Sequence, residues 1–222
     1  MKNKIFNLLI IISMVLFSCK GNKQEKDGTD LTKQEDSTVM TTTNLAFNPS
    51  DLPEEPLFDI ETSAGTIRIK LYKETPLHRD NFVKLASERY YDGILFHRII
   101  KGFMIQAGDP YTKDPAAADK YGTGGPGYTV PAEILPQFKH KKGALAAARR
   151  GGPSNPLKES SGSQFYIVED AGTCAQLDGD YTVYGETVDG FGVIDIIAAT
   201  PTGPKDRPAI DVKIISVKPV LK

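Results

Sequence analysis

The sequence predicts a mainly β protein, in which antiparallel strands form a closed barrel accompanied by only two α-helices. Many short segments alternate apolar and polar residues, as half-buried strands do, and only two stretches have the spacing of an amphipathic helix. Strands and helices do not alternate regularly along the chain, which argues against a parallel sheet. The composition is that of an ordinary globular protein, with 222 residues, 40% hydrophobic residues and a formal net charge of -1.

The folded part is predicted to begin at Leu57 with a β-hairpin. Polar residues alternate with apolar ones on both sides of the turn at 63–65, and the apolar ones are Phe58 and Ile60 before the turn and Ile67, Ile69 and Leu71 after it. A short amphipathic helix follows, with Thr75 as a good N-cap and Pro76 at its first position. Phe82, Leu85 and Ala86 fall on one face of this helix, and Gly93 marks its stop.

The remaining elements are short. The segment "FHRIIKGFMIQAGD" at 96–109 indicates two strands broken at Lys101-Gly102, and "GFGVIDIIAAT" at 190–200 indicates the second helix. "SQFYIVED", "YTVYGETV" and "AIDVKIISVKPV" are predicted strands, the last alternating through Ile210, Val212 and Ile214. "GALAAARR" at 143–150 fits a strand or a helix by pattern alone, and the Gly-rich "TGGPGYTVPAE" at 123–133 is predicted as a loop.

Residues 1–18 are predicted to be a lipoprotein signal peptide. Lys2 and Lys4 form a basic start, and the apolar run that follows is shorter than the roughly 20 residues that span a bilayer. The ending "LFSC" resembles the bacterial lipobox, which predicts lipidation of Cys19. A plain signal peptide, or an uncleaved anchor with an incidental Cys19, is the alternative. The other cysteine, Cys174, is predicted to be a small buried hydrophobe.

Residues 19–56 are predicted to be the lipidated cysteine and a disordered tether, because this polar stretch has too few apolar residues to offset its ordering entropy. Residues 57–222 form the folded domain. We therefore expect a protein of the cell envelope, attached to the lipid membrane through Cys19 and facing the periplasm or the exterior. Lys20 hints at the outer membrane. The near-zero charge gives no general attraction to nucleic acid, and we expect a monomer.

The sequence lacks the residue patterns that several common kinds of catalysis require. The three histidines are scattered without metal-ligand spacing, no G-x-S-x-G elbow is present, and no pair of carboxylates stands out for acid–base work. We therefore expect neither a metal nor another cofactor, and we do not expect a conventional hydrolase.

The polar residues of "FHRIIKGFMIQAGD" need another explanation. Met104 and Gln106 share one face of a strand, and Arg98 projects from the neighbouring strand. Taken alone, Arg98 would be expected at the barrel rim with its head in water, and His97 would be a structural histidine.

In combination, four blocks of sequence resemble the cyclophilin family of peptidyl-prolyl cis/trans isomerases. They are "FHRIIKGFMIQAGD", "GTGG" at 122–125, "SSGSQFYI" at 160–167 and "LDGDYTVYGE" at 177–186, and the resemblance covers about 57–219. It implies an eight-stranded antiparallel barrel closed by two helices, and an enzyme that isomerises X-Pro bonds in polypeptides. It also implies a substrate groove lined by Arg98, Phe103, Met104, Gln106, Ala148, Arg149, Gln164, Tyr166, Leu177 and Tyr181.

The resemblance further implies a role for each polar group. Arg98 would donate to the proline nitrogen when the amide is twisted, with Gln106 holding Arg98, while Gln164 would bind the substrate backbone. Phe103, Met104, Leu177 and Tyr166 would form the apolar pocket for the proline ring.

This chain departs from the family pattern at several positions. Tyr166 stands where phenylalanine is usual, and Arg149 where an asparagine binds substrate through its backbone. Tyr181 stands where histidine is frequent and Gln176 where tryptophan is frequent, so a peptide-binding chaperone without catalysis is the competing hypothesis. The loops at 110–121 and 149–161 are long; they either shape partner choice or are tolerated insertions.

Overall fold

The structure is a computed structural model that describes residues 45–221, and its main feature is one curled antiparallel sheet of eight strands. The strands are β1 (Leu57–Thr62), β2 (Gly65–Leu71), β3 (Arg98–Ile100), β4 (Met104–Ala107), β5 (Thr129–Val130), β6 (Ala144–Ala147), β7 (Ser160–Ser161), β8 (Phe165–Val168), β9 (Val183–Asp189) and β10 (Ile214–Pro219). Their order in the large sheet is β10-β1-β2-β9-β6-β8-β4-β3, and β5 pairs with β7 separately.

The α-helices of this part of the chain are α1 (Pro76–Ser87), α2 (Ala171–Cys174) and α3 (Phe191–Ala198). Two of them were predicted from the sequence, and α2 was missed. With four residues α2 is too short to carry a periodic pattern, and it begins where the Asp170 carboxylate accepts a hydrogen bond from the Thr173 amide at 2.8 Å.

The prediction of eight antiparallel strands is confirmed, but "closed" overstates how the barrel is completed. The edge strands β10 and β3 do not form a ladder with each other. Instead, residues 93–96, which precede β3, pair with residues 212–214: Phe96 N donates to Val212 O at 2.9 Å, and Gly93 N donates to Ile214 O at 2.8 Å. A short bridge therefore joins the two edges of the sheet.

The barrel interior is filled by the alternate residues of the strands. All the apolar residues predicted to point inward from the first hairpin are fully buried, namely Phe58, Ile60, Ile67, Ile69 and Leu71. Phe82 and Leu85 of α1 close this core from one side, and Ile194 and Ile197 of α3 from another. Truncating one of these side chains to alanine would cost roughly 2–5 kcal/mol.

Helix α1 begins as predicted at Pro76 but is not capped by Thr75, whose side chain makes no capping hydrogen bond. Instead the Glu133 carboxylate accepts hydrogen bonds from Leu77 N at 3.0 Å and from His78 N at 2.9 Å. Burial raises the pKa of Glu133, but the bonds from the His78 ring and these two amides outweigh burial and leave it lowered. A carboxylate from a distant loop thus satisfies the free amides of the first turn.

Residues before Leu57 also contact the folded domain. Residues 45–56 were expected to belong to the tether, yet they lie along α1, where Ala46 N donates to Ser87 O at 2.8 Å. Phe47 packs against Phe58 with ring centroids 5.7 Å apart, and Leu52 packs on the same core. These two apolar side chains stabilise a segment whose composition is otherwise polar.

The last strand is shorter than predicted. Ile210 is 72% exposed and lies outside β10, whereas Val212 and Ile214 are buried as expected. Within residues 45–221, no helix has both the length and the apolar character needed to cross a membrane, and no cluster of histidine, cysteine and carboxylate side chains could hold a metal ion. The predicted signal peptide and Cys19 lie outside the described residues.

Candidate active site

The register of three strand pairs places the predicted groove residues in one row. Arg98 of β3 is opposite Gln106 of β4, Gln106 is opposite Tyr166 of β8, and Tyr166 is opposite Ala146 of β6. Directly opposed residues in a sheet share a face. The row next to it, Ile99, Ile105, Ile167 and Leu145, is fully buried in the barrel core. The period of two therefore puts the Arg98 row on the outer face.

A second hydrophobic cluster covers this outer face, and we call it the outer cluster. Its buried members are Tyr72, Met104, Ala144, Ala146, Tyr166, Val168, Cys174 and Val183, with Ile100, Phe103, Phe138, Ala148, Leu177 and Tyr181 packed against them. It contains every apolar residue that the sequence assigned to the substrate groove. Met104 and Tyr166 are nearly buried, at 2% and 4% exposure.

Cys174 lies in the outer cluster and is fully buried, so its prediction as a small buried hydrophobe is confirmed. Burial raises the pKa of its thiol to about 12. The thiol is therefore protonated at neutral pH and is not a nucleophile.

Arg98 is half-buried and is held by an unexpected partner. Its Nε donates to the Asp206 carboxylate at 3.2 Å, and the two side chains are 40% and 45% exposed. Neither terminal nitrogen of Arg98 has a hydrogen-bond partner among the described residues. Gln106 was expected to hold Arg98, but its amide nitrogen donates to Gln164 Oε1 at 3.0 Å instead.

Gln164 links the groove to the Gly-rich loop. Its amide nitrogen donates to Gly122 O at 3.1 Å and to Gly124 O at 2.8 Å, and the residue is 6% exposed. Both amide hydrogens are used in these bonds and the oxygen accepts from Gln106. The observed contacts of this side chain are therefore with the protein, whereas the sequence assigned it to the substrate backbone.

The Tyr166 ring forms an aromatic wall of the groove, and its hydroxyl belongs to a series of three hydrogen-bonded groups that we call the polar chain. Asp178 Oδ1 is 2.7 Å from His140 Nδ1, and His140 Nε2 is 2.8 Å from the Tyr166 hydroxyl. The His140 side chain is fully buried. Its neutral form donates from Nδ1 to the carboxylate and accepts the tyrosine hydroxyl at Nε2, so all three groups are satisfied.

Burial and hydrogen bonding set the pKa values of Asp178, His140 and Tyr166. Burial lowers the pKa of His140, although the Asp178 carboxylate opposes that effect. The pKa of Asp178 is lowered because hydrogen bonds from the His140 ring and backbone outweigh its burial. Burial also raises the pKa of Tyr166. At neutral pH the carboxylate is thus charged, and the imidazole and the phenol are neutral.

Tyr181 and Arg149 extend this wall. The Tyr181 ring meets the Tyr166 ring edge-on with centroids 6.0 Å apart, and the Arg149 guanidinium lies 4.5 Å from the centre of the Tyr181 ring. Arg149 Nε also donates to Asp180 O at 2.8 Å. Ala148 uses both backbone groups within the fold, donating to Gln164 O and accepting from Ser161 N.

Comparison with known proteins identifies the family. The sequence profile described as "Cyclophilin type peptidyl-prolyl cis-trans isomerase/CLD" matches residues 57–219. The chain belongs to the cyclophilin family. Its enzyme class is that of a peptidyl-prolyl cis-trans isomerase.

The relatives are similar over nearly their full length. The human peptidyl-prolyl cis-trans isomerase-like 1 is 36% identical, over 79% of this chain and 99% of the relative. The peptidyl-prolyl cis-trans isomerase B of Streptomyces anulatus is 38% identical, over 71% and 93%. A Cryptosporidium parvum cyclophilin superposes with a TM-score of 0.66 at 28% identity, covering 76% and 99%, and it was also crystallised with the dipeptide Ala-Pro.

Three residues of this cyclophilin site were not found by reasoning from the sequence: Asp206, His140 and Asp178. Asp206 lies 108 positions from Arg98 in a polar loop, where no periodic pattern marks a contact. For His140 the sequence showed only that no other metal-binding residue type is near it, which does not indicate a role in the groove. Its role depends on the Tyr166 hydroxyl, which the sequence did reveal as an addition to the family pattern.

A cavity of about 550 Å³ lies elsewhere, between residues 45–56 and α1, lined among others by Leu52, Arg79 and Val83. None of the predicted groove residues borders it. The chemistry of the cyclophilin site depends instead on the open outer face of β3, β4, β8 and β6.

Proposed function

We propose that this cyclophilin isomerises X-Pro bonds on the outer cluster, with Arg98 as the catalytic residue. The observation that carries the proposal is the half-buried guanidinium, whose terminal nitrogens have no partner among residues 45–221, beside a row of apolar side chains. The Ala-Pro dipeptide in the crystals of the C. parvum relative supports a proline-containing peptide as the substrate.

The reaction needs stabilisation of a twisted amide. Rotation about a peptide bond faces a barrier of roughly 18–20 kcal/mol, because the planar bond has partial double-bond character. Both isomers of an X-Pro bond are accessible, but they exchange in tens of seconds or longer. In the twisted state the proline nitrogen becomes pyramidal and gains a lone pair. A donor that meets this lone pair stabilises the transition state more than the ground state.

Each side chain of the groove has a part in this mechanism. Met104, Phe103 and Leu177 bind the pyrrolidine ring by apolar contact, and the Tyr166 ring forms the buried wall. Arg98 donates from a terminal nitrogen to the proline nitrogen, and its planar guanidinium presents several N–H groups in a fixed geometry. The Gln106–Gln164 pair keeps the Gly-rich loop at the groove edge.

Arg98→Ala tests the catalytic role. Loss of one preorganised donor reduces turnover by about 100-fold in well-studied enzymes, and we expect a fall of that order in kcat and in kcat/KM together. Arg98→Lys should recover only part of the activity, since an ammonium lacks the planar fork. Arg68→Ala is the matched control, because Arg68 pairs with Asp59 on the β1–β2 hairpin.

The assay follows isomerisation of a proline peptide, with circular dichroism of the same samples to verify folding. Near-wild-type turnover in a folded Arg98→Ala protein would exclude Arg98 from catalysis. A wild-type protein that binds proline peptides without isomerising them would favour the chaperone hypothesis, for which the substitutions Tyr181 and Gln176 are the motivation.

We further propose that the protein acts as a monomeric lipoprotein in the cell envelope, where it assists folding of exported proteins. The lipobox-like "LFSC" and the polar residues after it support this location. A single acyl chain binds a membrane only marginally, so stable attachment requires more than one chain on Cys19.

Fractionation of cells that express the wild type or Cys19→Ser tests the location. The wild type is expected in the membrane fraction and the variant in the soluble fraction, with equal isomerase activity per molecule. Recovery of the wild type from the soluble fraction would contradict the anchor without affecting the assignment of the active site.

A further inference from the structure

The partner of Arg98 lies in a small closed loop at residues 201–209. Thr202 and Pro208 form an isolated bridge, Gly203 N donates to Arg207 O at 2.8 Å, and Ala209 N donates to Pro201 O at 2.8 Å. These contacts join the two sides of the loop, so that its tip projects as one unit. Asp206 is at this tip.

The tip has an unusual backbone. Lys205 and Asp206 both have positive φ, at 62° and 58°. This region is strained for an L-residue, and aspartate tolerates it better than lysine does. Such strain persists where surrounding contacts over-determine the conformation. The tip is therefore held by its neighbours.

Arg207 supplies the contact that holds it. Its guanidinium lies 4.0 Å from the centre of the Tyr121 ring, and its Nη1 donates to Ala118 O at 3.3 Å. The Tyr121 hydroxyl in turn donates to Asp114 O at 3.1 Å. The long loop at 110–121 thus carries one side of the tip, while Asp206 on the other side meets Arg98.

We propose that Asp206 is a positioning residue for the isomerase reaction, acting through Arg98. Its carboxylate accepts from Nε, which fixes the plane of the guanidinium and leaves both terminal nitrogens for the substrate. The inference rests on the proposed function, since it assumes that Arg98 contacts the reacting amide. The proposal also explains a role of the 110–121 loop, which supports the tip that carries Asp206.

Two effects of Asp206 oppose each other. Its negative charge reduces the field of Arg98 at the proline nitrogen, whereas its hydrogen bond orients the donor. Solvent reaches both side chains, at 40% and 45% exposure, so the charge effect is strongly screened. Orientation is not screened, and misdirection of a catalytic donor lowers the rate sharply. The orienting effect therefore dominates.

Kinetics of Asp206→Ala and Asp206→Asn test the proposal. We expect Asp206→Ala to lower kcat about 5-fold to 10-fold, with KM changed by less than about 2-fold, because only the transition-state interaction is weakened. Asp206→Asn should fall between the two proteins, since an amide oxygen still accepts from Nε. Asp211→Ala is the control, because Asp211 is exposed and the net charge changes equally.

The same substitution in the Arg98→Lys background separates positioning from a structural role. Lysine has no Nε–H fork to orient, so Asp206→Ala should then change kcat by less than about 2-fold. An equal loss in both backgrounds would overturn the proposal in favour of a general structural effect. Higher activity of Asp206→Ala would overturn it as well, since Asp206 would then compete with substrate for Arg98.

A readout independent of catalysis keeps this inference distinct from the proposed function. The Nε–H of Arg98 should give an NMR signal whose hydrogen exchange is slower in the wild type than in Asp206→Ala. If hydrogen exchange is slower in the wild type than in Asp206→Ala but the wild type has no isomerase activity, the proposed function is refuted while the Arg98–Asp206 contact is supported. Equal exchange in the two proteins would refute the positioning role of Asp206.

Discussion

Acidification should destabilise this protein through His97, the residue next to Arg98. His97 is only 6% exposed, and neither of its ring nitrogens has a hydrogen-bond partner within residues 45–221. Its pKa is lowered to about 4, mainly by burial, and the nearby charges of Arg98 and Arg207 act in the same direction. Asp109 and the Leu95 carbonyl act in the opposite direction, although that carbonyl is not in hydrogen-bond geometry with the ring.

The sign of the effect follows from the order of protonation. The unfolded chain protonates His97 near the ordinary pKa of 6.5, whereas the folded protein does so only near 4. Between these values the unfolded state binds more protons, so stability falls as the pH falls. A shift of one pKa unit corresponds to about 1.4 kcal/mol, so the full difference is about 3 kcal/mol. At about pH 4.5 most of it is lost.

His97→Leu isolates this contribution. The variant keeps every other titrating group, including His140, so the difference between the two proteins reports His97 alone. Urea unfolding at about pH 8 and about pH 4.5 should show that the variant loses about 2–3 kcal/mol less than the wild type. At about pH 8 leucine should cost little, because no hydrogen bond is lost. An equal loss of stability in the two proteins would refute the reasoning.

Three further substitutions test the groove. Tyr166→Phe should lower the free energy of unfolding by about 1–3 kcal/mol, because His140 Nε2 loses its partner, and unchanged stability in urea would contradict the polar chain. Gly108→Ala should prevent folding or lower the free energy of unfolding far more than Gly102→Ala, since a Cβ at Gly108 would lie 2.1 Å from a backbone oxygen, whereas a Cβ at Gly102 has no heavy atom within 4 Å. Both glycines have positive φ, which costs an L-residue roughly 1–2 kcal/mol. Equal unfolding midpoints of the two variants would contradict this account. Gln176→Trp should strengthen inhibition by cyclosporin, because an indole N–H and a large apolar face are gained; inhibition of the wild type that is already tight and not improved would count against the role of this position.

The sequence predicted what depends on local periodicity. The alternation in "FHRIIKGFMIQAGD" places Met104 and Gln106 on one face, and the structure confirms it, because each is opposite a residue of the outer cluster or its row. The first hairpin and α1 were found for the same reason. Only the resemblance to cyclophilins assigned the ambiguous segment at 143–150 to the groove, and it forms β6 followed by Ala148.

Contacts between distant loops were not predictable in this way. Alternation with a period of two predicts which face of the sheet a side chain occupies. It does not predict which polar group that side chain will contact. Gln106 is directly opposite Arg98, so pairing between them was a reasonable expectation. In the fold Gln106 is drawn to Gln164, and Asp206 reaches Arg98 from a loop whose shape depends on Arg207 and Tyr121. Each step of that path is set by tertiary structure.

Three of the departures from the family pattern, at Tyr166, Tyr181 and Arg149, belong to one connected group. A hydroxyl on the buried ring of Tyr166 would be costly without a partner, and His140 supplies that partner. The second ring nitrogen of His140 is satisfied by the Asp178 carboxylate. Tyr181 then packs edge-on against both aromatic rings, and Arg149 covers its outer face. Because these side chains contact one another, Tyr166→Phe leaves His140 Nε2 unpaired, and the energetic effects of changes within this group will not be additive.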